Sequence, residues 1–211
     1  GVNLEVFHAT FTADTVGKTP GTPEVGTWGP ATVTAPGTIS VQSFLGEDTT
    51  KVVVLNQAGG ACKNCGGLLL QGNLYVEPGN PVAHDGVYET TFIALQDNAN
   101  MKSATFKLRD STNAVLAQVT FTVQGNVNKV LFNGKDTGVR WVRHVPLAFK
   151  ITTDLTNQKS SLWIDDDSIF TDEAFMSNTH KFTNVAADFG GIDSGVMGWD
   201  DIRVVRLEDS Q

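Results

Sequence analysis

Residues 140–144, Arg-Trp-Val-Arg-His, crowd two guanidiniums, an indole and an imidazole into five positions. With Tyr88, Gln96 and Arg109 they supply the side chains needed to take a proton beside a carboxylate. His or Tyr acts as the base, while Arg or Gln holds the charge that develops. If residues 140–144 alternate as a strand, Arg140, Val142 and His144 share a face. Tyr88, Arg140 and His144 are then the candidate catalytic set for β-elimination on an acidic, uronate-bearing glycan. The plainer reading makes this stretch the solvated rim of a loop leading into the next strand.

Sugar binding without catalysis asks for less: an exposed ring, and a few groups that hydrogen-bond hydroxyls. Trp141 and Trp163 are the leading ring candidates, followed by Tyr88 and Tyr75, with Gln96 and Arg109 as polar partners. Trp163 lies between Leu162 and Ile164, so either the indole or its neighbours face the core. Trp28 and Trp199 read as covers for the ends of the fold.

Cys62 and Cys65 are the only cysteines. A zinc site would need a second Cys or His pair, and only the distant His84 is on offer. A thioredoxin-like role needs a helix after the first cysteine, and this loop is glycine-rich. A local Cys62–Cys65 disulfide in an exported protein is the expectation, with reduced thiols as the alternative.

Low charge (18%), 21 glycines and plentiful Thr, Val and Asn favour strands and turns over helices. A 40% hydrophobic fraction in 211 residues is enough for one large all-β domain spanning 1–211. The net charge of −8 argues against nucleic acid, whose phosphates need a basic stripe, and against anionic membranes. No apolar run is long enough for a membrane-spanning helix. There is no Asn-x-Ser/Thr acceptor for N-glycosylation. The chain opens at Gly1, which we read as a processed product of a secreted or cell-surface protein whose export signal is out of view, with other domains as possible partners.

Strands are expected at 4–11, 38–44, 51–55, 68–70, 87–96, 103–109, 114–124, 127–132, 145–152, 161–164, 169–175, 182–189 and 195–207. The segment 114–124 alternates most cleanly, with Val115, Ala117, Val119, Phe121 and Val123 on one face. Turn chemistry at Gly125-Asn126, Asn133-Gly134 and Asp165-Asp166-Asp167 separates the strands. Residues 172–178 are expected to hold at most one helical turn. The last segment, 195–207, has apolar residues of both parities, as a strand central in its sheet would. Its expected neighbour is 4–11. About a dozen short strands at this spacing give an antiparallel two-sheet β-sandwich or jelly roll.

The segment FKITTDLTNQKSSLWIDDD at 149–167 resembles the hairpin and Asp-rich turn of concanavalin A-like (lectin/glucanase, laminin G-like) jelly rolls. Residues 103–125, with FKLRDSTNAVLA, resemble the preceding hairpin of bacterial members; 11–20 (FTADTVGKTP) resembles their N-terminal loop, and GWDDIRV at 198–204 their closing strand. The resemblance implies two curved sheets with first and last strands adjacent, on a fold that hosts lectins, carbohydrate-binding modules, hydrolases and lyases. It also implies a structural Ca²⁺ where the N-terminal loop meets the closing strand, with Asp200 and Asp14 as ligands. The flanks of Phe11 are Thr10 and Thr12, where acidic residues would usually stand. The glucanase run Glu-x-Asp-x-x-Glu and the jelly-roll lyase motifs are absent. The expected function is therefore non-catalytic carbohydrate binding or adhesion, with a polysaccharide lyase and a structural domain of a surface assembly as alternatives.

Overall fold

The computed structural model describes residues 3–35, 37–44, 47–56, 67–76, 85–97, 103–189 and 195–208. In chain order the strands are β1 (Leu4–Ala9), β2 (Thr27–Trp28), β3 (Thr32–Val33), β4 (Thr38–Phe44), β5 (Glu47–Asn56), β6 (Leu68–Asn73), β7 (Val87–Gln96) and β8 (Ser103–Arg109). They continue with β9 (Val115–Gln124), β10 (Val127–Phe132), β11 (Lys135–Asp136), β12 (Leu147–Asp154), β13 (Lys159–Ile164), β14 (Asp167–Ala174), β15 (Asn184–Phe189) and β16 (Val196–Leu207). No helix occurs among the described residues.

These strands form two antiparallel sheets. The first runs β14-β13-β12-β7-β16-β5-β4, with β1 also paired to β16. The second runs β11-β10-β9-β8-β15-β6-β2, with β3 on β6. The closing strand is central, as its two-sided apolar pattern requires. Its first part lies between β7 and β5, from Val196 to Trp199; its second lies between β7 and β1, from Ile202 to Arg206.

Local chemistry sets the hairpins. Gly125-Asn126, Asn133-Gly134 and Asp165-Asp166 each have two successive positive φ angles, the geometry that matches the twist of paired strands. The sheets meet over an aromatic cluster. Phe92 of β7 stacks on Phe106 of β8 at 4.0 Å and on Phe149 of β12 at 5.0 Å. Trp199 packs against Phe106 at 5.4 Å and Phe92 at 5.7 Å. Trp199 therefore lies at the heart of the core, 1% exposed, and does not cover an end as its sequence context suggests.

Other elements also differ from expectation. β14 stays extended through Ala174, so no helical turn forms; a register shift between Ser160 and Leu162, with Asp172 at φ 53°, absorbs the irregularity. β12 starts at Leu147, because His144, at φ 66°, holds the chain in a turn. The short β2, β3 and β11 carry too few residues for periodicity to reveal. Cys62, Cys65 and His84 lie outside the described residues, and with them the expected disulfide.

Candidate functional site

Alternation along β7 decides what each sheet face carries. Tyr88, Thr90, Phe92, Ala94 and Gln96 point between the sheets and are buried. Thr91, Ile93, Leu95 and, just past the strand, Asp97 belong to the outer face. Two depressions share this face. One, of about 370 Å³, has Ser40 and Gln42 of β4, Val54 of β5, Gly198 of β16, Asp97 and His144 in its lining. The other, of about 260 Å³, has Ile93 of β7, Lys150 of β12, Trp163 of β13, Asp166 and Asp201. Both draw on β7 and β16, so the two depressions are neighbours on one sheet face between β4 and β13, and we call the pair the trough.

The floor and rim follow from the register. Ser40 pairs with Val54, Val54 with Gly198, and Gly198 with Leu95, so small and aliphatic side chains pave the β4 end. At the other end Lys150 lies directly across from Trp163. Its ammonium stands 4.4 Å from the indole centroid, a cation–π contact. Asp166 enters through the tight Asp165-Asp166 turn, whose first residue is tied to β12 by hydrogen bonds with the Ala148 backbone. Asp201 enters through a bulge. The pairing of β16 with β7 shifts register between Asp200 and Arg203, and Asp201 takes φ 45°. Its carboxylate is bonded to His8 Nε2 at 3.2 Å, while His8 Nδ1 meets Glu5 at 3.1 Å. At the β4 end His144 Nε2 bonds to the Asp97 carboxylate, and Arg143 comes within 3.8 Å of it.

The structure separates the catalytic set suggested by sequence. Tyr88 is fully buried and packs edge-on against Phe182. Its hydroxyl makes no hydrogen bond of ordinary geometry, and burial, with Asp85 adding to it, holds its pKa above the usual tyrosine value against the opposing pull of Arg206. His144 sits beside Gln96, whose carbonyl accepts its N–H at 2.7 Å. Gln96 is eight positions along β7 from Tyr88, about 26 Å at the usual strand rise. Arg140 is elsewhere again, forked onto Asp136 at 2.8 and 3.0 Å. Residues 140–144 do not alternate as a strand, because positive φ at Gly138 and His144 bends the chain on either side of them.

The ring candidates divide as well. Trp141 is 1% exposed, and its Nε1–H donates to the Thr122 carbonyl at 2.9 Å, so it is a core residue and no platform. Gln96 faces inward with both amide atoms unpartnered, and cannot reach an external ligand. Arg109 is buried on the other sheet, donating to Asn184 and Gln71 at 2.8 Å each. Tyr75 is half exposed but belongs to neither depression. Of the aromatic candidates only Trp163, flanked by buried Leu162 and Ile164, lies in the trough. Sequence reasoning passed over Lys150, Asp97 and Asp166. The parity of Phe149 and Ile151 carried the signal for Lys150, since it places residue 150 on the outer face beside Trp163.

Asp200 lies on the bulge, with its Oδ1 accepting the Asp201 N–H at 2.7 Å. Burial is the main cause lifting its carboxyl to about 7; the hydrogen bond opposes this, and the charges of Asp201 and Glu24 add to it. Glu24 accepts from the Thr10 backbone N–H at 3.1 Å and from the Thr10 hydroxyl. Asp14 lies in the turn that follows Phe11, its backbone carbonyl accepting from Lys51 at 2.8 Å. Among the described residues no three His, Cys, Asp or Glu side chains converge on one point.

No protein-family model matches this sequence, and no curated protein sequence does either. Solved structures do share its fold. A sialidase superposes with TM-score 0.64 at 7% identity over 99% of this chain, which spans only 19% of that protein. Domain 4 of AbnA, a GH43 extracellular arabinanase from Geobacillus stearothermophilus solved with arabinotriose, gives 0.53 at 13% identity over 98% of this chain and 94% of its own. The alginate lyase AlgAT5 of polysaccharide lyase family 7 gives 0.53 at 12% identity over 97% and 95%. The fold shared with these structures is an all-β, two-sheet jelly-roll sandwich.

Proposed function

We propose that the chain is a non-catalytic carbohydrate-binding module, taking a glycan along the outer face of the β14-to-β4 sheet. The trough between β4 and β13 carries this reading. Its two depressions open to the surface, with small and aliphatic side chains at the β4 end and one indole and several hydrogen-bonding groups among the lining. Such a surface suits a polyol, whose apolar faces pack on aliphatic or aromatic carbon while its hydroxyls bond to the rim. The arabinotriose complex of AbnA domain 4 supports a sugar ligand on this fold. The reading places the protein outside the cell, where polysaccharide is met. No helix among the described residues is long and apolar enough to cross a membrane.

A lyase is the second reading, favoured by the likeness to AlgAT5 and by His144 in the trough. It is weakened because the chain has two tyrosines, and neither Tyr75 nor Tyr88 lines the trough. Affinity electrophoresis through gels cast with different polysaccharides tests the module; retardation by none would overturn it. Incubation with uronate polymers, followed at 235 nm for the unsaturated product, tests the lyase.

We propose a structural calcium ion at the Asp200 carboxyl. The desolvated Asp200 carboxyl, raised in pKa beside Glu24 and Asp201, marks a place where added positive charge relieves repulsion. Asp200 would hold it with Asp14, as expected from the sequence, and with Glu24, which lines one depression with Asp14, and backbone carbonyls would complete the oxygens that a hard cation needs.

A further inference from the structure

We infer that the glycan is uncharged: the trough accepts a neutral sugar chain and turns away polyuronates. This rests on the sugar-binding reading and specifies its ligand.

Most charges around the two depressions are already occupied. At the β4 end Asp97 is bound by His144 and approached by Arg143, so that cluster is internally compensated. At the β13 end Asp201 is taken by His8, which also meets Glu5. Two charged groups remain without an ion pair or hydrogen bond among the described residues, Lys150 and Asp166. Both line the depression that holds Trp163. One can only donate and the other can only accept. A sugar hydroxyl does both, accepting from the ammonium or donating to the carboxylate, so neighbouring hydroxyls on one sugar satisfy the pair.

A uronate carboxylate can only accept. It would gain Lys150 but meet the like charges of Asp166 and Asp201 around the same depression. A polyuronate brings one such charge per sugar, and among the described residues that line the two depressions Lys150 is the one cation without an ion pair. The chain's net charge of −8 adds a long-range repulsion that slows approach of any polyanion.

Isothermal titration calorimetry decides the matter, using the whole chain against neutral arabinan, xylan and mixed-linkage glucan, and against alginate and polygalacturonate, at low and high salt. The expected result is binding to at least one neutral polymer, changing less than twofold with salt, and at least tenfold weaker binding of both uronate polymers. Asp166→Lys, confirmed as folded by circular dichroism, is expected to gain uronate binding that falls as salt rises. Tighter binding of a uronate polymer than of every neutral one by the unaltered chain overturns this inference and leaves the module standing. Binding of no polymer at all overturns the module and the inference together.

Discussion

The Lys150 ammonium stands 4.4 Å from the centre of the Trp163 indole, the two residues being direct partners across β12 and β13. One face of the ring is thus occupied, and the ring's orientation is held by its neighbour. On the proposed binding surface a sugar would meet indole carbon and an ammonium donor together. Trp163→Ala removes the one aromatic side chain that the described residues of that depression present on the outer face. It is expected to weaken glycan binding about tenfold, ~1.4 kcal/mol, within the range of aromatic contacts. Because the side chain is only half-buried, global stability should move by less than about 1 kcal/mol. Calorimetric titration alongside urea unfolding checks both, and unchanged affinity would remove Trp163 from the site.

Trp141 behaves in the opposite way. It fills the core, and its N–H is bonded to the Thr122 carbonyl. Trp141→Ala is expected to cost about 3–5 kcal/mol of stability, the range for deleting a large buried ring. Its effect should appear as a lower urea midpoint, with glycan affinity per folded molecule unchanged. A loss of affinity without a loss of stability would return Trp141 to the binding surface.

These two tryptophans show what was legible in the sequence. Strand parity was readable wherever a strand is long and half-buried. It gave β7, β9, β12 and the central place of β16; the same parity sets Gln96 on the inward face of Phe92, against its reading as a sugar-binding partner. Trp141 follows no period, because a loop delivers it to the core and a single backbone hydrogen bond secures it there. The Asp200–Arg203 bulge was equally hidden: one extra residue in a strand alters no composition, yet it turns Asp201 into the trough. Residues 140–144 looked alternating only because five residues are too few to separate a strand from a turn.

Close packing of the first sheet on the second leaves no room at Gly72 of β6. A Cβ there would stand 2.5 Å from Cζ of the Phe7 ring and 2.6 Å from Cε2. Phe7 is fully buried and packs edge-on against Trp28 at 5.5 Å, so it cannot swing clear. Gly72→Ala is expected to destabilise by about 1–3 kcal/mol, as overpacking does. Adding Phe7→Leu should recover part of that loss. Equal stability of Gly72→Ala and the unaltered chain in thermal unfolding would contradict the close contact.

Asp200 makes stability depend on pH in a direction that can be worked out. Its carboxyl is held at about 7 in the folded chain, against an ordinary value of 3.8. Between those values the folded state binds more protons than the unfolded state. Stability therefore falls as pH rises through that window and levels off above it. With chelator present, the melting temperature of the unaltered chain should decline from pH 5 to pH 8 more steeply than that of Asp200→Asn, which cannot ionise. Calcium should raise the melting temperature at pH 8, where the carboxylate is charged, and do so less at pH 5, where a proton already occupies the oxygen. In Asp200→Asn that calcium response should disappear at both pH values. Differential scanning calorimetry over this range separates the two claims. Matching pH profiles for variant and parent would refute the raised pKa, whereas different profiles without a calcium response would refute only the ion.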